Sequence, residues 1–243
     1  MPKYKVILSY DGHNYMGFQI QEELPTIELE IKNAFYKLLN KDVKIYPSGR
    51  TDKGVHAMCQ KAHVDINVKI TPYHLMRAMN SHLPDDIHVI NVMAVSNDFH
   101  ARYMVKEKEY QYKLNMGEYN PIMRNYIYQY GKRLDVEKMQ EAIKYFLGTH
   151  DFKSFTPSKD KRINYVRTIT YADINEKDDI LTFTFRADGF IKYQIRNMVG
   201  YLIKVGEGKK KSQDIPKILL GKDRRLASIT AHAEGLYLTN VRY

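Results

Sequence analysis

The chain has 243 residues, enough for one large domain or two small ones, and its 44% apolar residues suffice for a packed core. A formal net charge of +10 and a sequence pI near 9.3 predict a polyanionic partner, because a basic surface attracts phosphates and releases counterions when it binds them. No apolar run is long enough for a transmembrane helix, and the N-terminus enters a strand-like pattern without the apolar core of a signal peptide. These features favour RNA over a membrane as the partner and predict a cytoplasmic protein.

The first half of the chain predicts six elements in the order β-α-β-β-α-β, which is the ferredoxin-like arrangement. Hydrophobic periodicity places them at residues 3–10, 26–40, 43–46, 57–66, 72–81 and 87–95. Thr71 and Pro72 indicate the start of the second helix, since threonine is a good N-cap and proline suits the first helical position.

The second half begins near Lys106 and repeats a similar order with extra elements. The predicted strands are at residues 107–115, 126–130, 164–174, 181–186 and 236–241, and the predicted helices at 136–147, 191–205 and 212–220. No sequence identity between the halves is visible, so the repeat is one of pattern. The pattern predicts two domains, residues 1–105 and 106–243.

The segment Gly-Arg-Thr-Asp-Lys-Gly-Val-His at residues 49–56 is the most informative part of the chain. It holds one carboxylate, Asp52, between the cations Arg50 and Lys53, and glycines at both ends allow turn conformations close to a ligand. This pattern is typical of a catalytic aspartate beside a phosphate backbone. On spacing alone, a plain turn between two strands is the commoner explanation.

Read with its surroundings, this segment closely resembles the signature of the tRNA pseudouridine synthase A family, in which a Gly-Arg-Thr-Asp-x-Gly-Val-His loop carries the nucleophilic aspartate. Further blocks similar to those of the family follow in order along almost the whole chain, at residues 10–12, 17–21, 83–87, 98–102, 108–112, 148–155, 196–200 and 234–238. An ordered set of this kind is far more specific than any one block.

The resemblance implies an α+β fold of two RRM-like, ferredoxin-like halves, whose antiparallel sheets join around a central active-site cleft. It implies isomerisation of uridine to pseudouridine at positions 38, 39 and 40 of tRNA, in the anticodon arm, by a homodimer that grasps one tRNA across both subunits. The reaction exchanges no electrons, so no cofactor is expected, and the chain contains no GxGxxG or Walker-type loop.

The family pattern also implies roles for particular residues. Asp52 corresponds to the catalytic carboxylate, which attacks the base or the ribose or acts as a base, and Arg196 to the cation that keeps it ionised. Tyr110 corresponds to the tyrosine that stacks on the target base, and Leu236 to the apolar residue on the other side of that base. Arg50 is expected to help extrude the nucleotide or to hold its phosphate.

Metal and disulfide chemistry are not expected. Cys59 is the single cysteine, so neither an intrachain disulfide nor a cysteine-based zinc site can form within this chain. The first half is rich in histidine, but none of these residues has a strong zinc-ligand spacing: His56, His63, His74, His82, His88 and His100. The basic run at residues 209–211 either follows an RNA backbone or is simply solvated.

Two positions depart from the family pattern. Gln194 lies where many relatives have methionine, and Cys59 lies where glycine is common. A diverged second copy of the family with another RNA target is therefore one alternative. A non-catalytic RNA-binding protein or tRNA chaperone is another, and a basic small-molecule enzyme is a third. Asp52 separates the enzyme from the pure binder, because a binder gains nothing from a carboxylate in a loop that faces phosphates.

Overall fold

The computed structural model describes residues 2–158 and 164–243, and its elements group into two units, residues 1–106 with 237–243 and residues 107–236. In chain order the elements are β1 (Lys3–Tyr10), α1 (Ile27–Leu39), β2 (Ile45–Pro47), β3 (His56–Asp65), α2 (Pro72–Asn80), β4 (Ile87–Val95), β5 (Glu107–Asn115), β6 (Tyr128–Gln129), α3 (Val136–Ile143), β7 (Gly148–Asp151), β8 (Val166–Lys177), β9 (Ile180–Ala187), α4 (Gln194–Gly206), α5 (Ile215–Gly221) and β10 (Leu236–Arg242). The expected domain boundary lies after residue 105, and the first unit of the structure ends at Lys106. Residues 237–243, which are expected in the second domain, group with the first unit.

In the first unit β4, β1, β3 and β2 pair in this order, and these three pairings are antiparallel, as in a ferredoxin-like sheet. β10 lies beside the N-terminal end of β3 and pairs with it in parallel, Tyr237 opposite His56. The core is built by alternation, since Val6 and Leu8 of β1 are buried together with Phe35 of α1 and Leu75 of α2. The predicted start of α2 is confirmed, because the Thr71 side chain accepts a hydrogen bond from the His74 backbone N–H.

In the second unit β5 pairs with β9, β9 with β8 and β8 with β7, all antiparallel, and β6 pairs in parallel with β5. β9 alternates strictly between half-buried and buried positions, and its residues Leu181, Phe183 and Phe185 are fully buried. Phe146, Phe152 and Phe155 are fully buried as well. Helix α4 is buried almost all round, and Arg196 and Lys204 are its two positions outside the buried set. The predicted α+β class, rich in antiparallel pairing, is confirmed.

Several predicted elements differ from the observed ones for local reasons. The strand predicted at 126–130 is reduced to the two residues of β6, because Asn120 and Pro121 start a series of turns in which the Tyr126 and Ile127 backbone N–H groups donate to the carbonyl of Met123. The helix predicted from residue 191 begins at Gln194, since Tyr193 adopts a left-handed conformation with φ of 61°. Strand β7 has no apolar alternation and was not predicted.

Candidate active site

Asp52 lies in the loop between β2 and β3 and is half-buried. The loop closes as a turn, in which the Val55 backbone N–H donates to the Asp52 carbonyl at 3.1 Å and Gly54 takes a φ of +73°. The flanking cations Arg50 and Lys53 are exposed. The loop therefore presents one carboxylate between two solvent-facing positive charges.

The segment between β1 and α1 holds this loop from one side. The Phe18 backbone N–H donates to the Thr51 carbonyl at 3.1 Å, and the Gly54 backbone N–H donates to the Tyr15 carbonyl at 3.2 Å. Gly17, with a φ of +103°, packs directly on the backbone of Thr51 and Asp52. Residues 10–21 and 49–56 are therefore joined by backbone hydrogen bonds and by direct packing.

Buried polar side chains hold the loop from beneath. The hydroxyl of Tyr10 lies 2.8 Å from Oγ1 of Thr51, and Gln60 Nε2 donates to the Gly49 carbonyl at 3.0 Å. Gln60 Oε1 accepts from the hydroxyl of Ser48 at 2.7 Å. Burial raises the pKa of Tyr10 to about 12, so the phenol stays neutral and its hydroxyl hydrogen remains available. These contacts fix the backbone on both sides of Asp52.

His56 follows the loop and is 2% exposed. Its Nδ1 lies 3.1 Å from the backbone N of Gly12 and 3.0 Å from Oδ1 of Asp11, and its ring stacks on Tyr237 with centroids 4.8 Å apart. An unprotonated Nδ1 accepts from Gly12, whereas a protonated Nδ1 donates to Asp11, so the two contacts belong to different protonation or tautomeric states. In the sequence, His56 stands out only as part of the motif and of a histidine-rich half.

Arg196 lies in the first turn of α4, in the second unit, and is half-buried. Its Nε donates to the Ala231 carbonyl at 2.7 Å, and its own carbonyl accepts from the Ala231 backbone N–H at 2.9 Å. The guanidinium lies 5.0 Å from the ring centroid of Tyr193. These contacts therefore fix the position of the Arg196 side chain, which is not freely solvated.

The neighbouring Asn197 is fully buried and ties α4 to two other segments. Its Nδ2 donates to the Phe155 carbonyl at 2.6 Å, and its Oδ1 accepts from Thr230 Oγ1 at 2.6 Å and from Arg224 Nη2 at 3.0 Å. At Gly200 a Cβ would lie 2.9 Å from the Ile229 carbonyl oxygen, so the segment at residues 229–231 crosses the helix where glycine leaves room. Asn197 is part of the Arg-Asn-Met-Val-Gly block at residues 196–200, but nothing in the sequence alone indicates these contacts.

The other two candidates of the second unit are both buried. Tyr110, on β5, is 8% exposed, and its ring meets that of Phe190 edge to face with centroids 5.3 Å apart. Leu236 is the first residue of β10 and is 5% exposed. The candidates thus divide between the units, Asp52 and Arg50 in the first and Tyr110, Arg196 and Leu236 in the second.

Both departures from the family pattern have a polar contact nearby. Gln194 is fully buried, and its Oε1 accepts from the Ile191 backbone N–H at 3.0 Å, which closes the turn before α4. Cys59 is partly buried, with Sγ 4.0 Å from Oδ1 of Asn240. In the basic run, Lys209 pairs with Glu207 at 2.8 Å, while Lys210 and Lys211 are exposed.

Within the described residues, no three His, Cys, Asp or Glu side chains group as a metal site would require. In the same ranges no helix is both long and apolar enough to cross a membrane.

Comparison with known proteins gives one consistent result. A family profile described as tRNA pseudouridine synthase matches residues 6–104 and 142–243. A protein of Streptococcus equi subsp. equi named tRNA pseudouridine synthase A is 43% identical over 247 residues, which cover 100% of this chain and 99% of the relative. A protein of Limosilactobacillus reuteri with the same name is 42% identical over 250 residues, which cover 100% of this chain and 97% of the relative.

Among solved structures, that of a Cbf5-Nop10-Gar1 complex aligns with a TM-score of 0.39 and 12% identity over 96% of this chain and 57% of the other. The family assignment rests on the sequence matches, which span both units. The chain belongs to the tRNA pseudouridine synthase family.

Proposed function

We propose that this protein converts uridine to pseudouridine at positions 38, 39 and 40 of tRNA, in the anticodon arm, with Asp52 as the catalytic carboxylate and without a cofactor. As a tRNA pseudouridine synthase it is an isomerase. The reaction breaks the bond from N1 of the base to C1′ of the ribose, turns the base and joins C5 to the same carbon. One proton leaves C5 and one is gained at N1, so nothing is oxidised or reduced.

The way in which Asp52 is held carries this proposal. A carboxylate that reacts with one carbon of a large substrate needs a fixed position, because a displacement of about 1 Å can reduce the rate by about a hundredfold. The Asp52 loop is bonded on both flanks to Phe18, Tyr15, Tyr10 and Gln60. A simple surface turn would need none of these buried contacts.

The exposed cations beside Asp52 suit a nucleic-acid substrate. Arg50 and Lys53 face solvent on either side of the carboxylate, and the chain carries a formal net charge of +10. In the proposal Arg50 contacts the phosphate of the target nucleotide or fills the space that the extruded base leaves. The carboxylate itself attacks the base or the ribose, or acts as a base.

Three residues of the second unit complete the proposed site. Arg196 supplies the positive charge that keeps the Asp52 carboxylate ionised, a role that suits a guanidinium already oriented by its bond to Ala231. Tyr110 stacks on the target base in this proposal. The contact with Phe190 holds its ring edge to face and so fixes its orientation. Leu236 contacts the other face of the base.

We also propose a cytoplasmic homodimer that holds one tRNA across two subunits. The relatives named tRNA pseudouridine synthase A match this chain over its whole length, which supports tRNA as the substrate. Light scattering of the free protein and of its tRNA complex, read as molar mass, tests the assembly: two chains per tRNA supports it, and one chain per tRNA contradicts it.

The test of the reaction maps pseudouridine by nucleotide in unmodified tRNA, with wild type, Asp52→Ala and the control Asp42→Ala, in the absence of added cofactor. Asp42 lies in the same unit and its side chain is 84% exposed, so its removal changes the net charge equally without touching the loop. We expect conversion in the anticodon arm by wild type and Asp42→Ala, and none by Asp52→Ala. Because the carboxylate repels phosphates, Asp52→Ala should bind tRNA at least as tightly as wild type.

Conversion by Asp52→Ala at the wild-type rate would remove Asp52 from the mechanism. Binding of tRNA without conversion by the wild type would instead favour a chaperone, or a synthase with a different RNA target.

A further inference from the structure

A cavity of about 370 Å³ lies in the second unit, between the segments that follow β7 and α5. Of the nine described residues that line it, four are cationic: Lys153, Lys222, Arg224 and Arg225. The other five are Thr156, Pro157, Ser158, Tyr165 and Asp223. Apart from Arg224, which donates to Asn197, none of these residues contributes to the site described above.

Arg224 is the unusual member of this lining. Its Nη2 donates to Asn197 Oδ1 at 3.0 Å, to Thr230 Oγ1 at 3.0 Å and to the Ile229 carbonyl at 3.3 Å, and all three acceptors are neutral. Its Nη1 is buried and has no hydrogen-bond partner among residues 2–158 and 164–243. Within the same ranges it forms no ion pair with a carboxylate, and burial lowers its pKa. A partly desolvated guanidinium without a counter-charge creates a positive potential that favours an anion nearby.

The carboxylates near the cavity do not balance its charge. Asp151 pairs with Lys222 at 3.0 Å, and Asp223 pairs with Arg225 at 2.6 Å. Lys153 lies 5.9 Å from the ring centroid of Tyr165. Four cations against two carboxylates leave the charges of Lys153 and Arg224 uncompensated among these contacts.

We propose that this cavity binds a phosphodiester of the RNA substrate, with Lys153 as its direct contact and the half-buried Arg224 as a source of positive potential. The inference rests on the proposed function, because that function supplies the RNA. Arg224 also anchors Asn197, which follows Arg196 in α4, so a phosphate held here is tied by direct contacts to the helix that carries Arg196. A phosphate suits the lining better than a carboxylate, since its oxygens accept from several donors at once.

The test uses Lys153→Ala and a matched control, Lys217→Ala, in the full chain. Lys217 lies on α5 in the same unit, is exposed and does not line the cavity, so both variants lose one surface charge. The first readout is tRNA affinity over a range of salt concentrations. Losing one phosphate contact should lower the slope of log affinity against log salt by about 1 in Lys153→Ala, with a much smaller change in Lys217→Ala.

The second readout needs no RNA. Inorganic phosphate, compared with chloride at equal ionic strength, should raise the melting temperature of wild type and Lys217→Ala more than that of Lys153→Ala, because a ligand that binds only the folded state stabilises it.

The outcomes separate this inference from the proposed function. A salt slope in Lys153→Ala equal to that in Lys217→Ala, together with conversion of tRNA by the wild type, overturns the cavity's role and leaves the function standing. Stabilisation by phosphate that needs Lys153, without a change in the salt slope, means that the site takes free phosphate and overturns the RNA assignment. If the wild type does not convert tRNA, but the salt slope of RNA binding falls in Lys153→Ala, the proposed function is contradicted. RNA binding at the cavity is then supported.

Discussion

A Cβ at position 12 would lie 2.1 Å from the carbonyl oxygen of Val55, so Gly12 and the loop that carries Asp52 are in direct backbone contact. The Gly12 backbone N–H also lies 3.1 Å from Nδ1 of His56, the first residue of β3. No side chain can move aside to relieve an overlap with a carbonyl oxygen. The chain just after β1 therefore determines where the Asp52 loop can lie.

We expect Gly12→Ala to displace the Asp52 loop and to reduce kcat for tRNA by about a hundredfold, the scale expected when a reacting group shifts by about 1 Å. Steady-state kinetics with circular dichroism as a check on folding measures this. Gly189→Ala is the control, because the nearest atom to its added Cβ is Arg167 Nε at 3.8 Å. A Gly12→Ala protein with the wild-type kcat would show that the loop tolerates the displacement.

The buried hydroxyl of Tyr10 gives a second prediction, on stability. Tyr10→Phe leaves Thr51 Oγ1 without its 2.8 Å partner in a buried site, and the free energy of unfolding should fall by about 1–3 kcal/mol. Urea denaturation measures the loss. Tyr36→Phe removes the same atom from a side chain that is 53% exposed and should change stability by less than about 0.5 kcal/mol. Equal losses in the two variants would mean that the Tyr10 hydroxyl contributes nothing specific.

Local chemistry made much of the fold predictable from sequence. Alternating apolar residues marked β1 and β9, and Thr71 with Pro72 marked the start of α2. The ordered motif blocks gave the family, which the comparisons confirm. Glycines and paired cations singled out the Asp52 loop because those residue types are unusual together.

What could not be predicted depends on contacts between distant parts of the chain. Nothing in the sequence near Arg196 indicates that its Nε binds the carbonyl of Ala231, 35 residues further on. Tyr10 and Gln60 look like ordinary strand residues until the fold buries their polar atoms beneath the loop. The left-handed Tyr193 also escaped prediction, because a tyrosine rarely adopts that conformation.

Asn197 gives a prediction about the support of α4. Asn197→Ala removes the donor to the Phe155 carbonyl and the acceptor of Thr230 and Arg224 in a fully buried site. The free energy of unfolding should fall by about 3 kcal/mol, since several buried polar groups lose a partner together. Asn175→Ala, at an exposed position of β8, is the control and should have little effect. The prediction is wrong if urea denaturation places the two variants within about 0.5 kcal/mol of each other.

The last prediction concerns acid stability and Glu207, at the end of α4. Burial alone would raise the pKa of this carboxyl, but hydrogen bonds from Lys204, Lys209 and Tyr130 outweigh it and lower the pKa from 4.5 to about 2. A carboxyl whose pKa is lower in the folded state stabilises the fold above its unfolded pKa, and that contribution is lost as the pH falls from about 4.5 to about 2. Glu207→Gln should therefore be less stable than wild type at neutral pH, and the difference should shrink across this window. Urea denaturation between pH 7 and pH 2 measures it, with Glu118→Gln, at an exposed position, as the control. A difference between wild type and Glu207→Gln that stays constant with pH would mean that the carboxyl is not held ionised by these three partners.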